Sequence, residues 1–357
     1  MIFELGILFV SLVVIVAAAE LFTNGIEWLG QRLELSEGVV GSVLAAVGTA
    51  LPETLIPIVA VIFFGQREGD EVGIGAITGA PFMLSTLTLG LCGLAGMSFA
   101  KSGKRAAAIN YNEVVMSRDL KFFIVAYAIG LITAAFATHQ TAKYIIAFLI
   151  LMIYPLYLYK TFQSSGEVGE EPEALYIDRI LKKGSNKLRF ILPQVLLGPG
   201  GIVGGAYFFV EYIQDIADAI GFPPLILSLI VCPVATELPE KVNSILWVRQ
   251  GKDTLALGNV TGAMVFQSCI PVAFGIAFTP WNLDMGIVMT GLVAIGSASL
   301  LLLMVKTKKL SFNYLACCAI FYVCAVTALI TLDVHLGGPK PETGVIHHDI
   351  SPQPSAQ

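Results

Sequence analysis

Charge is what this sequence has least of. Only 13% of its 357 residues are Asp, Glu, Lys or Arg, against about 25% in a soluble globular domain. Hydrophobic residues make up 56%, so most of the chain is suited to lipid. The formal net charge of -5 lacks the basic excess a nucleic-acid partner requires. Cysteines are few, and Cys92, Cys232, Cys269, Cys317, Cys318 and Cys324 all lie in apolar stretches without C-x-x-C spacing. That excludes a disulfide framework and a zinc site and leaves small buried hydrophobes. No H-E-x-x-H or G-x-S-x-G motif occurs, and no nucleophile has a base beside it, so the chain does not read as an enzyme and calls for no cofactor. The opening MIFELGILFVSLVVIVAAAE lacks a basic leader and is too long in its apolar run for a signal peptide. It reads as a first membrane helix that is retained.

Long apolar runs are what is there. Crossing the hydrocarbon takes about 20 mostly apolar residues, and ten stretches qualify: 5–26, 38–64, 72–97, 120–138, 142–162, 190–213, 225–247, 255–280, 285–305 and 312–332. The more polar segments 98–119 and 163–189 read as loops, and the tail 337–357 as disordered. Basic residues alternate between the loops. Arg67, Lys143 and Lys340 fall in even loops or the tail and Lys241 falls inside a helix, leaving seventeen of the 21 Lys and Arg in odd loops. Basic loops stay cytoplasmic. The expectation is a multi-pass protein of the plasma (inner) membrane with both termini outside.

An internal repeat organises these spans. GTALPE (48–53) recurs as ATELPE (235–240), and GAITGAPFMLS (75–85) recurs as GNVTGAMVFQS (258–268). Each copy holds five spans, 1–162 and 190–336, joined by the loop 163–189. Because five is odd, the second copy enters the membrane inverted, as in many secondary transporters. The expected fold is therefore all-α, ten transmembrane helices in two inverted five-helix repeats.

Glu53 and Glu240 fall about fifteen residues into their spans, roughly 22 Å along at 1.5 Å per residue, near the bilayer midplane. A carboxylate there is costly unless paired or ligated. Pro52 and Pro239 precede the acids; proline removes a backbone donor and breaks the helix, freeing carbonyl oxygens. Thr49 and Thr236, four residues before the acids, share their helix face and either add hydroxyl ligands or bond back to their own helices. An all-oxygen set suits a hard cation, Ca²⁺ above all. Asn259 and Gln267 are further candidate ligands in the second Gly-rich span. Gly73, Gly75, Gly79, Gly258 and Gly262 read as sites of close helix packing.

GTALPE and ATELPE, each followed by a Gly-rich helix, resemble the two alpha-repeats of the sodium/calcium exchanger (cation/Ca²⁺ antiporter) superfamily. The resemblance covers most of 10–95 and 198–280. It implies that Glu53 and Glu240 bind Ca²⁺ and that Thr49 and Thr236 mark the helix breaks. The sequence departs from the family pattern at Ala50, where a serine is usual, and at Glu237, where a carboxylate replaces one. It departs again at Pro81, Leu84 and Met264, which replace polar residues. The resemblance implies that the positions lost are largely those the family associates with Na⁺.

The reading is a secondary antiporter moving Ca²⁺, or a related hard cation, against Na⁺ or H⁺, with the bilayer and inorganic cations as its partners. The alternative is a non-transporting homologue acting as a membrane scaffold or cation sensor. Glu53, Glu237 and Glu240 together concentrate negative charge at low dielectric, so an empty site is expected to keep at least one proton.

Overall fold

The computed structural model describes residues 2–32, 50–65, 69–136, 139–164, 175–176 and 188–336, with a few side chains inside these ranges excepted. All regular structure among the described residues is helical. In chain order it comprises α1 (Ile2–Arg32), α2 (Leu51–Phe63), α3 (Asp70–Met83), a π-helical turn (Leu84–Thr88), α4 (Leu89–Lys101), α5 (Glu113–Phe136), α6 (Gln140–Ser164) and α7 (Leu188–Ile220). Then follow α8 (Pro224–Thr236), α9 (Leu238–Arg249), α10 (Asp253–Phe278), α11 (Met285–Lys306) and α12 (Phe312–Leu336). The expected segments 163–189 and 337–357 lie almost wholly outside the described residues, as does 38–49, the first half of the second expected span.

Eight of the helical stretches are long and apolar enough to cross a bilayer, taking α3, the π-turn and α4 as one; Leu51–Phe63 and Pro224–Val234 are shorter apolar helices. The π-turn follows Pro81 inside α3. A proline cannot donate to the carbonyl four residues back, and a locally widened turn is one way the backbone accommodates a disturbance in the ladder. One carbonyl in that turn, Ser85 O, accepts the Ser297 hydroxyl of α11 at 2.6 Å. Large apolar side chains such as Phe9, Phe148, Leu196 and Ile320 are exposed. An outward apolar surface of this extent fits lipid as its solvent.

The most enclosed of the spans is α10, followed by the α3–α4 stretch. These are the two Gly-rich copies. Around them the core falls into two clusters. One joins residues of α3 to α6 and α8 to α12; the other joins Ile15, Ala18 and Ala19 of α1 to Ile202, Ala206, Phe209 and Val210 of α7, together with Ile56, Val59, Val72, Ala76 and Cys232. α1 and α7 are the longest helices and pack chiefly on one another. Their seam carries Gly198, where a Cβ would lie 2.4 Å from the Phe22 Cβ, and a buried bond from Gln194 Nε2 to Asn24 Oδ1 at 2.9 Å.

The glycines of α3 do what their spacing predicts. A Cβ at Gly75 would lie 2.3 Å from Leu225 O, and one at Gly79 would lie 2.2 Å from Leu229 O, so α3 and α8 touch backbone to backbone. Gly258 and Gly262 of α10 make only ordinary contacts among the described residues. The segment that the repeat shift would bring to them, around 38–42, lies outside those residues.

Loop boundaries move inward from the expected ones. α4 runs to Lys101 and α5 begins at Glu113, so only 102–112 is loop. That loop is anchored. Arg105 Nη1 bonds Asp253 Oδ1 at 2.6 Å, Nη2 bonds Oδ2 at 2.8 Å, and the Asn110 N–H also donates to Oδ2 at 2.8 Å. Asp119, expected at a loop end, is instead buried in α5, where its Oδ2 accepts the Thr261 hydroxyl of α10 at 2.8 Å and its Oδ1 meets Arg118 at 3.0 Å. The reason is physical: a carboxylate satisfied by a guanidinium and a hydroxyl can sit where an isolated one could not.

Candidate cation site

Two of the helices begin in the same way. α2 opens Leu51–Pro52–Glu53 and α9 opens Leu238–Pro239–Glu240. Proline suits the first turn, where its missing N–H costs nothing. Each glutamate then stands third in its helix, within the first turn where the unsatisfied N–H groups favour an anion. Upstream of α9 the break is visible. α8 ends at Thr236, and Glu237 (φ -91°, ψ 11°) serves as its C-terminal residue and as the N-cap of α9. With 13 residues in α8 and 12 in α9, neither half reaches across a hydrocarbon layer of about 30 Å, since each residue adds about 1.5 Å.

Glu53 is buried, with 5% of its surface exposed, and Glu237 is buried more deeply at 2%. Cys232 of α8 packs in one core cluster with Ile56 and Val59, which follow Glu53 in α2. The Glu240 side chain lies outside the described residues, as does all of Thr49. The Thr236 hydroxyl donates to Cys232 O at 3.1 Å, the back-bonded arrangement that competes with ligation. Thr54, one residue past Glu53, likewise donates to Ala50 O at 2.9 Å.

The α10 candidates are not brought together. Asn259 spends its amide on Ser244 Oγ of α9 at 3.2 Å. Gln267 is buried, and its Oε1 has no hydrogen-bond partner among the described residues. Eight residues separate the two, about 12 Å along the helix. Ligands of one Ca²⁺ all lie about 2.4 Å from the ion, so these two residues fit different positions along the helix, and Gln267 keeps the acceptor free.

Sequence reasoning missed Lys241. It is buried in α9, and its Nζ lies 3.6 Å from Glu237 Oε2. The same ammonium donates to Pro233 O at 2.9 Å and reaches Val234 O at 3.4 Å, carbonyls of the last turn of α8. A lysine side chain leans toward the N-terminus of its helix, which here carries it back across the break. The signal was present: a lysine four residues after a glutamate, beside L-P-E. The charge argument over Glu53, Glu237 and Glu240 changes accordingly. A fixed ammonium stands against one of the three carboxylates and offsets one of their formal charges, leaving two.

Among the described residues, an all-helical body with an apolar exterior and several long apolar helices defines an integral multi-pass membrane protein. The sodium/calcium exchanger protein family model matches residues 3–163 and 191–331, and the chain belongs to that family. It is similar to the sodium/calcium exchanger MaX1 of Methanosarcina acetivorans, 25% identical over 330 residues, covering 84% of this chain and 91% of that protein. Among solved structures its fold resembles that of an H⁺/Ca²⁺ exchanger, CAX, at a TM-score of 0.70 and 16% identity, covering 93% and 87% of the two chains. It also resembles the sodium-calcium exchanger NCX_Mj, at a TM-score of 0.57 and 21% identity, covering 92% and 99%.

Proposed function

We propose that this protein is a secondary antiporter that exchanges Ca²⁺, or a related hard cation, for Na⁺ or H⁺ by alternating access. The observation that carries the reading is a buried carboxylate at each of two helix interruptions, Glu53 in the first turn of α2 and Glu237 where α8 gives way to α9. Carboxylates at low dielectric are stabilised by cations, and broken helix ends are where transporters hold them. Glu53 and Glu240 are the principal ligands of the divalent ion, with Gln267 a neutral oxygen to one side. The extensive packing of α1 against α7 supports a pair that moves as a unit past the remaining helices. The ten spans form two inverted repeats, 1–162 and 190–336, with both termini outside.

Purified protein in proteoliposomes should take up radiolabelled Ca²⁺ when an outward Na⁺ or pH gradient is imposed, and not without one. No gradient-driven flux of Ca²⁺, Sr²⁺ or Mn²⁺ would leave only a scaffold or sensor. Orientation is checked separately by cysteine labelling from the outside in a background lacking the native cysteines. A probe at Ser355 should react and one at Gly184 should not; the reverse pattern overturns the assigned orientation.

A further inference from the structure

The ammonium of Lys241 lies among groups that would otherwise suit a small monovalent ion. Two carbonyl oxygens at the C-terminal end of α8, Pro233 O at 2.9 Å and Val234 O at 3.4 Å, face it, and Glu237 Oε2 lies at 3.6 Å. The last carbonyls of a helix carry its negative dipole end, and in broken transporter helices such carbonyls and half-helix ends coordinate Na⁺ or protons. Lysine is compact and cationic on a flexible stem. Here it is buried, in a region where an unpaired ammonium would be costly. Its contacts are those of a ligand held in a site.

We propose that Lys241 is a resident monovalent cation of the transport site, tethered where a mobile Na⁺ would otherwise bind. This rests on the antiporter reading above and adds to it which ions the site must take. Glu53, Glu237 and Glu240 contribute three formal negative charges and Lys241 one positive, leaving a balance of two that a single divalent cation neutralises. No further monovalent ion is required alongside it. With Lys241 removed, the same site carries three negative charges, and a divalent ion alone no longer balances it.

The test compares wild type with K241M in detergent, in NaCl and in choline chloride at equal ionic strength. Without Ca²⁺, K241M should be stabilised by Na⁺ over choline, with Tm raised by about 2 °C when the new position is filled tenfold over half-saturation. With Ca²⁺, low Na⁺ should raise the Ca²⁺ affinity of K241M by about tenfold, whereas in wild type Na⁺ should leave it unchanged or lower it. Methylammonium, which restores an ammonium without the tether, should act on K241M as Na⁺ does. E237Q/K241M, which removes both charges of the pair, should show no such response. Recovery of folded K241M in NaCl but not in choline chloride is the same result read through folding. Equal behaviour of K241M in the two salts, folded or not, overturns the proposal. Wild type that binds no divalent cation while K241M gains a Na⁺ response would sink the antiporter reading and leave the resident cation standing.

Discussion

Glu53→Gln should weaken divalent binding by about 100-fold or more and abolish gradient-driven Ca²⁺ flux, with the fold retained. The substitution keeps shape and removes one charge from a buried position. A carboxylate facing a divalent ion inside a protein interacts by several kcal/mol at the effective dielectric of such sites. Breaking a buried ionic interaction by removing one partner typically costs about 3–5 kcal/mol, and each 1.4 kcal/mol is tenfold. Folding should tolerate the change, because a neutral amide spares the helix the cost of burying a charge when no ion is bound. Glu240→Gln should behave alike if the two L-P-E helix starts contribute equivalently. The measurement is Ca²⁺ affinity by calorimetry or radiolabel in detergent, alongside the elution profile of each variant. Wild-type affinity in Glu53→Gln would remove Glu53 from the site.

Gly79→Ala should cost the protein its folded yield, or leave a folded protein with little transport. A Cβ at this position would lie 2.2 Å from Leu229 O and 2.9 Å from Leu229 C and Cα. All three are backbone atoms of α8, so no side chain can swing away, and the two helices must part. Overpacking of a tight interior commonly costs about 1–3 kcal/mol, and a backbone clash of this depth belongs at or beyond the upper end. The displaced helix is the one that ends at Thr236 and passes into Glu237, so the separation reaches the acids. Two controls bracket the effect. Gly73→Ala meets the Val61 Cγ2 at 3.0 Å, a side-chain atom that can yield. Gly204→Ala has nothing within 4 Å and should stay within about 0.5 kcal/mol of wild type. Monodisperse yield and apparent Tm of the three variants, ranked Gly204, Gly73, Gly79 in increasing damage, are the readout. Equal stability of Gly79→Ala and Gly204→Ala would contradict the backbone contact.

Much of this was legible in one dimension because the membrane writes strong rules into sequence. A segment must be apolar for its whole length to enter hydrocarbon, so the spans at α1, α5, α6, α7, α10, α11 and α12 could be counted from composition. Proline cannot sit in a helix interior without consequence, so L-P-E placed the start of both α2 and α9. An acid deep in an apolar run has few explanations other than an ion or a partner, so Glu53 and Glu240 stood out by their cost alone.

What the tertiary structure decided is which groups share a place. Side-chain length and direction carry Lys241 back over the break to Pro233 and Glu237, and no periodicity reveals that a lysine will turn inward. Asp119 is inside α5 because Arg118 and a hydroxyl 142 residues away satisfy it, a pairing invisible to local charge. Gly75 and Gly79 were readable as small, but only the fold chose α8 as the helix they admit. Asn259 and Gln267 looked alike in sequence until α9 took up one and left the other's oxygen free. Solvation decides what enters the membrane and acts residue by residue, so the sequence alone determined it; electrostatic pairing and close packing depend on neighbours far apart in the chain, so they waited on the fold.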